Sequence, residues 1–114
     1  MIGKLCKFKK KPPKDTNSPE FRLYMCKKLD GRGLKYVLER DPVKGDYVIG
    51  KGGVLSLFEG DFSVISGGKT LFTCKADELL AWEFMSLDGA TLTGFDKVQG
   101  KERTVMAYYT YYRD

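Results

Sequence analysis

The segment Ser66-Gly67-Gly68-Lys69-Thr70 ends as a nucleotide phosphate loop ends, in Gly-Lys-Thr, where backbone N–H groups and a lysine cradle phosphate oxygens. A working loop of that kind needs its first glycine at position 63, which is Ser63, and must open a helix whose N-terminus holds the anion. Residues 71–74 instead read as strand, so the segment reads as a hairpin turn displaying an exposed lysine. A cysteine nucleophile needs an activating base, and the chain contains no histidine, which removes the commonest general base and the commonest metal ligand together. Cys26 and Cys74 lie in apolar, strand-like patterns and read as buried, inert thiols. The carboxylates Asp77, Glu78 and Glu83 gather near a short helical signal, where the helix dipole favours acids, and form no evident acid/base pair. No catalytic residue, metal ligand or cofactor is implied, and the expectation is a protein that is not an enzyme.

Two groups remain open to a binding role. The aromatics Trp82, Phe84, Tyr108, Tyr109, Tyr111 and Tyr112 crowd the C-terminal third. On a strand Tyr108 and Tyr112 share one face while Tyr109 and Tyr111 share the other, so one pair should be partly exposed. Trp82, Tyr109 and Tyr111 are the candidates for partner contact, against the plainer reading that these rings cover a barrel side and pair across strands. If that last strand is also a sheet edge, it offers a route to a homodimer.

The second group is Lys4, Lys7, Lys9, Lys10, Lys11 and Lys14. Residues 1–14 carry these six lysines and no acid, whereas residues 15–114 carry fourteen basic and fifteen acidic residues, so the tail is +6 and the body −1. Six lysines near an anionic leaflet give at most about 6 kcal/mol at about 1 kcal/mol each, which is a dissociation constant of tens of micromolar. Such a tail assists contact with an anionic surface and does not anchor. The near-neutral body counts against a dedicated nucleic-acid binder, which usually carries a basic stripe on the fold.

The elements that would position these groups are mostly strands. Residues 50–74 form the clearest stretch: apolar runs at 54–58, 62–66 and 70–74, separated by glycine-bearing turns, predict a three-stranded antiparallel meander. Residues 1–19 combine lysines, Pro12-Pro13 and polar residues and read as a disordered basic tail. The weak alternation over 21–28 suits an edge strand, 30–33 a turn, 34–40 a strand, and 41–46 a Pro- and Gly-bearing turn leading to a strand at 47–49. A short helix is expected within 75–80, then strands at 82–87 and 90–95 joined by an Asp88-Gly89 type I′ hairpin, a turn at 98–101 and a long last strand over 102–113. About seven to eight strands with turns every eight to twelve residues predict a small antiparallel barrel or sandwich over residues 20–114, a length that suits one domain. Three cysteines without a C-x-x-C pair fit a reducing cytoplasm, and neither a membrane-spanning run nor a signal-peptide pattern is evident.

The succession GGVLSLF, FSVISGGK, TLFTC, ADELL, Glu83, Ser86-Leu87-Asp88-Gly89 and a closing aromatic strand resembles bacterial pleckstrin-homology-like and GRAM-like domains over about residues 50–112. The resemblance implies a small antiparallel barrel that binds rather than catalyses, and it names no partner. Two features depart from that pattern. The superfold usually closes one end with a C-terminal helix, and here the aromatic strand is followed only by Arg113 and Asp114. Phosphoinositide-binding members place several Lys and Arg in the loop matching 41–46, which here has one lysine between two aspartates, so phosphoinositide binding by the barrel is not expected.

Overall fold

The structure is a computed structural model, and it describes residues 18–110. It is mainly antiparallel β. In chain order come α1 (Pro19–Leu29), β1 (Leu34–Glu39), β2 (Tyr47–Lys51), β3 (Val54–Phe58), β4 (Asp61–Ser66), β5 (Lys69–Lys75), a 3-10 turn (Ala76–Glu78), β6 (Leu80–Glu83), β7 (Gly89–Asp96) and β8 (Lys101–Tyr109). The strands form a five-stranded sheet in the order β2-β1-β8-β7-β6 and a three-stranded sheet in the order β3-β4-β5. The barrel is therefore open, with the chain crossing between sheets at Gly52-Gly53 and again through the 3-10 turn.

The expected meander is present as β3, β4 and β5. Its strands are short and β-branched-rich, and in the Gly67-Gly68 turn both central residues are left-handed, at φ 60 and 78, the geometry that matches the twist of a hairpin. Lys69 leaves that turn straight into β5, so no helix opens there and the phosphate-loop reading stays rejected. The strand at 34–40 is borne out as β1, and the short helix at 75–80 shrinks to the 3-10 turn.

Three local expectations are corrected. Residues 21–28 are helix, not edge strand: Ser18 caps α1 by accepting the Phe21 N–H at 3.1 Å, Pro19 occupies the first turn, Glu20 faces the N-terminal dipole, and Lys27 and Lys28 face the C-terminal one. Phe21, Met25 and Leu29, four residues apart, enter the core together with Cys26. α1 packs against the 3-10 turn, β6 and β3, so the barrel's helical cover comes from the N-terminal side. Secondly, Asp88-Gly89 is not the hairpin turn: β6 ends at Glu83, the chain turns through 84–88, and Gly89 already belongs to β7. There a Cβ would lie 2.7 Å from the Phe84 ring and 2.5 Å from the Ala107 carbonyl, so the site needs glycine for close approach. Thirdly, β8 lies between β1 and β7 and is paired on both sides, so the last strand offers no edge for dimerisation over 101–109.

The core joins Leu55, Phe62, Val64 and Phe72 of the small sheet to Val37, Leu92, Val105 and Ala107 of the large one, with α1 closing over them. Each large side chain buried there contributes about 1.5–3 kcal/mol. No helix among the described residues is long and apolar enough to cross a membrane.

Candidate interaction surface

Alternation along β8 sets the site. Arg103, Val105, Ala107 and Tyr109 point into the core, while Thr104, Met106 and Tyr108 point to the outer face of the five-stranded sheet. Across that face, Tyr36 of β1 is the register partner of Tyr108, and Tyr108 is the register partner of Gly89. The Tyr36 and Tyr108 rings pack at 4.8 Å with a 38° tilt, and Phe84 lies over Gly89 at 5.0 Å from Tyr108 with a 59° tilt, making a three-ring ladder. The neighbouring row runs Val48, Leu38, Met106, Thr91, Trp82. Trp82 is 47% exposed, and its ring sits 5.5 Å from Phe21 of α1, which in turn is 6.1 Å from Tyr24. Two aromatic trios thus meet at the end of β6, through Trp82 and Phe84.

The loop that carries Phe84 is the least explained part of the fold. Its backbone is well held: the Leu87 N–H donates to the Phe84 carbonyl, the Tyr109 N–H to the Asp88 carbonyl, and the Ser86 hydroxyl to Asp88. Yet it displays Met85 at 100% exposure and Leu87 at 54%. Leu87 also has φ 64, a left-handed conformation that costs a residue with a Cβ about 1–2 kcal/mol. Met85 gains no burial within the described residues and Leu87 stays more than half exposed, so packing offsets little of the strain.

Below the ladder the interior end of the sheet is closed by a polar cluster. The Tyr109 hydroxyl donates to Glu83 at 3.1 Å, Lys28 pairs with Glu83 at 2.9 Å, and the Arg32 guanidinium lies 4.4 Å from the Tyr109 ring centre. Burial, and next the charge of Glu83, push the Tyr109 phenol well above its ordinary value, so it remains a neutral donor. Tyr109 is 2% exposed. Its expected role as a partner-binding aromatic is thereby corrected: it is a structural donor on the inward face, and Tyr108 is the partly exposed ring of the pair. Of the other candidates, Trp82 lies on the surface, while Tyr111 and the six lysines at 4, 7, 9, 10, 11 and 14 lie outside the described residues.

At the opposite end, Arg103 donates to both carboxylate oxygens of Glu39 at 2.8 and 2.5 Å, to Asp96 at 2.6 Å and to the Leu71 carbonyl at 2.8 Å. Asp96 also accepts the N–H groups of Thr73, Val98 and Gln99. Burial opposes ionisation of Asp96, but these donors outweigh it and hold the carboxyl below its ordinary value. A cleft of 570 Å³ opens beside this network, lined by Arg40, Asp41, Tyr47, Lys101 and Glu102 among others. Its buried ions, Glu39 and Arg103, are already paired, and Asp41 caps the Val43 and Lys44 N–H groups, while the exposed Lys101 and Glu102 make no ion pair among the described residues. Cys26 and Cys74 are fully buried as expected, and desolvation pushes their thiols up to about 12 and about 11, far from thiolate at neutral pH. Among the described residues no group of three or more His, Cys, Asp or Glu could hold a metal.

Reading the sequence alone passes over Phe21, Tyr24, Tyr36, Met85 and Leu87. The one available signal was the pair of apolar residues in Met85-Ser86-Leu87 next to Asp-Gly, a place where turns are usually polar. No protein-family model matches the chain, and neither the curated proteins nor the solved structures contain a match to it.

Proposed function

We propose that this protein is a non-enzymatic binding module that docks a protein partner on the outer face of its five-stranded sheet, at the end formed by Trp82, Phe84, Met85, Leu87, Tyr108 and Tyr36. The observation that carries this reading is the 84–88 loop: a fully exposed methionine and a strained, exposed leucine stand beside two packed aromatic trios. Strained apolar residues at a surface are retained where they serve contact rather than folding. Rigid aromatics bordered by flexible apolar side chains are the composition of interface anchors. The likeness to pleckstrin-homology-like domains supports a binding role, and two free, buried cysteines fit a reducing cytoplasm. The lysines of residues 4–14 add attraction to an anionic surface without anchoring there.

The double variant Met85→Ser, Leu87→Gly separates binding from folding. Glycine relieves the left-handed strain, so the melting temperature is expected to hold or rise, by up to about 1 kcal/mol of stability. Partner recovered by the tagged full chain from its own cells is expected to fall at least about tenfold, each lost anchor contributing about 1–2 kcal/mol. Unchanged recovery with unchanged stability would refute the proposal.

A further inference from the structure

We infer that the segment this surface receives is acidic: a short extended stretch of a partner protein with apolar anchors at its centre and carboxylates at its ends. The inference rests on the docking reading above and adds the partner's chemistry. Two ring sets, Tyr36-Tyr108-Phe84 and Trp82 with Tyr24, the latter two bridged by the buried Phe21, follow one another across the face, and lysines stand at both ends. At the β2 end, Lys51 is the register partner of Tyr36, and the Lys35 ammonium lies 5.9 Å from the Tyr36 ring centre. At the helix end, Lys27 and Lys28 follow Tyr24 by one helical turn.

The charge on this face leans positive: Lys27, Lys35 and Lys51 stand outside ion pairs among the described residues, against the carboxylates of Glu20 and Asp88. Glu83 is already held by Lys28 and the Tyr109 hydroxyl, while Asp88 accepts the Ser86 hydroxyl and keeps its charge. At the β2 end the two lysines, Lys35 and Lys51, face no acid, while at the helix end Glu20 stands one turn before Tyr24 and Lys27 one turn after it. Complementary charge at an interface rim steers encounter and rejects like-charged partners, while desolvated apolar anchors at the centre supply affinity. Three strand spacings of about 4.8 Å plus a helix at about 10 Å make the two sets together about 24 Å long, the reach of roughly seven or eight extended residues at about 3.3 Å each.

A nucleic acid also carries negative charge, but the rings do not suit it. They pack on one another at 4.8, 5.0 and 5.5 Å with tilts of 38°, 59° and 37°, which leaves no slot for a base between them. Met85 and Leu87 have no counterpart on a stacked strand.

The test is fluorescence anisotropy of the full chain with three labelled twelve-residue peptides, each having a Leu-Phe-Leu-Phe centre flanked on both sides by four glutamates, four glutamines or four lysines. A labelled twelve-residue oligouridine is the fourth probe. The glutamate peptide is expected to bind best at low salt, at least fivefold more tightly than the glutamine peptide, with the lysine peptide weakest. The exposed double variant Lys35→Glu, Lys51→Glu should weaken the glutamate peptide about tenfold and spare the glutamine one. Equal binding of the glutamate and glutamine peptides would overturn the acidic inference and leave the docking reading standing. Failure of every apolar-centred peptide to bind, or binding indifferent to Met85→Ser, Leu87→Gly, would overturn both. Oligouridine binding more tightly than the glutamate peptide, and displacing it, would assign the face to nucleic acid and overturn the inference.

Discussion

Replacing Arg103 by methionine is expected to lower the unfolding free energy by about 3–5 kcal/mol, the cost of leaving a buried charge without its partner. Arg103 lies on the interior strand β8 and ties Glu39 of β1, Asp96 at the end of β7 and the Leu71 carbonyl of β5, so one side chain joins the two sheets at their open end. Its removal strands Asp96, which is fully buried, while the backbone donors still fix that carboxylate in place. For a domain stable by about 5–15 kcal/mol this is a large fraction of the total. Urea unfolding at neutral pH checks the size, and adding Asp96→Asn to Arg103→Met should recover part of the loss by removing the orphaned charge. A pH dependence follows with a definite sign. The folded value for Asp96 lies below its ordinary 3.8, so its stabilising contribution is complete above about pH 4 and is lost as the pH falls through the lower folded value. The wild-type urea midpoint should therefore decline below about pH 4 more steeply than that of Asp96→Asn.

Gly53→Ala is expected to cost about 3–5 kcal/mol, combining a backbone conformation that residues with a Cβ avoid with an overpacked contact. Gly53 has φ 135 where the chain leaves β2 for β3, and a Cβ there would collide with the Ile65 carbonyl oxygen and come within 3.1 Å of the Ser66 Cα. Both are backbone atoms of β4, which is paired with β3 and cannot yield. Gly45→Ala is the control: φ is 83, but open space surrounds the site, so only about 1–2 kcal/mol of strain is expected. Similar losses at the two positions would show that the corner between the sheets is not tightly built.

The parts of this fold that the chain announces locally are those whose signals are short in range. The β3-β4-β5 meander follows from three apolar runs and from glycine pairs that take left-handed backbone at no steric cost. α1 hid because Leu23 and Tyr24, both half-buried, fill in the gaps between Phe21, Met25 and Leu29, so the same residues also satisfy an alternating pattern. The Ser18-Pro19-Glu20 start signal was the better guide. Which of Tyr108 and Tyr109 faces outward could not be read from alternation alone. That choice is fixed by the interior position of β8 between β1 and β7, a pairing made over some seventy residues of chain in one case. Arg103 and Glu39 are 64 residues apart, and nothing near either marks the other. The candidate surface was half legible: Trp82 was identified, while Met85 and Leu87 were absorbed into an expected strand because Asp88-Gly89 looked like the turn. The turn came earlier because Gly89 has to lie flat beneath the Phe84 ring.

The claim that the outer sheet face is where a protein partner docks is tested most directly by photo-crosslinking in the protein's own cells, with p-benzoylphenylalanine placed at Met85 or at Val43. Val43 is 90% exposed and sits on the 41–46 turn at the other end of the strands, so it controls for exposure alone. A discrete crosslinked species is expected from position 85, none from position 43, and loss of that species when Leu87→Gly and Trp82→Ala are added. The same crosslinks from both positions, or crosslinks from 43 alone, would contradict the claim.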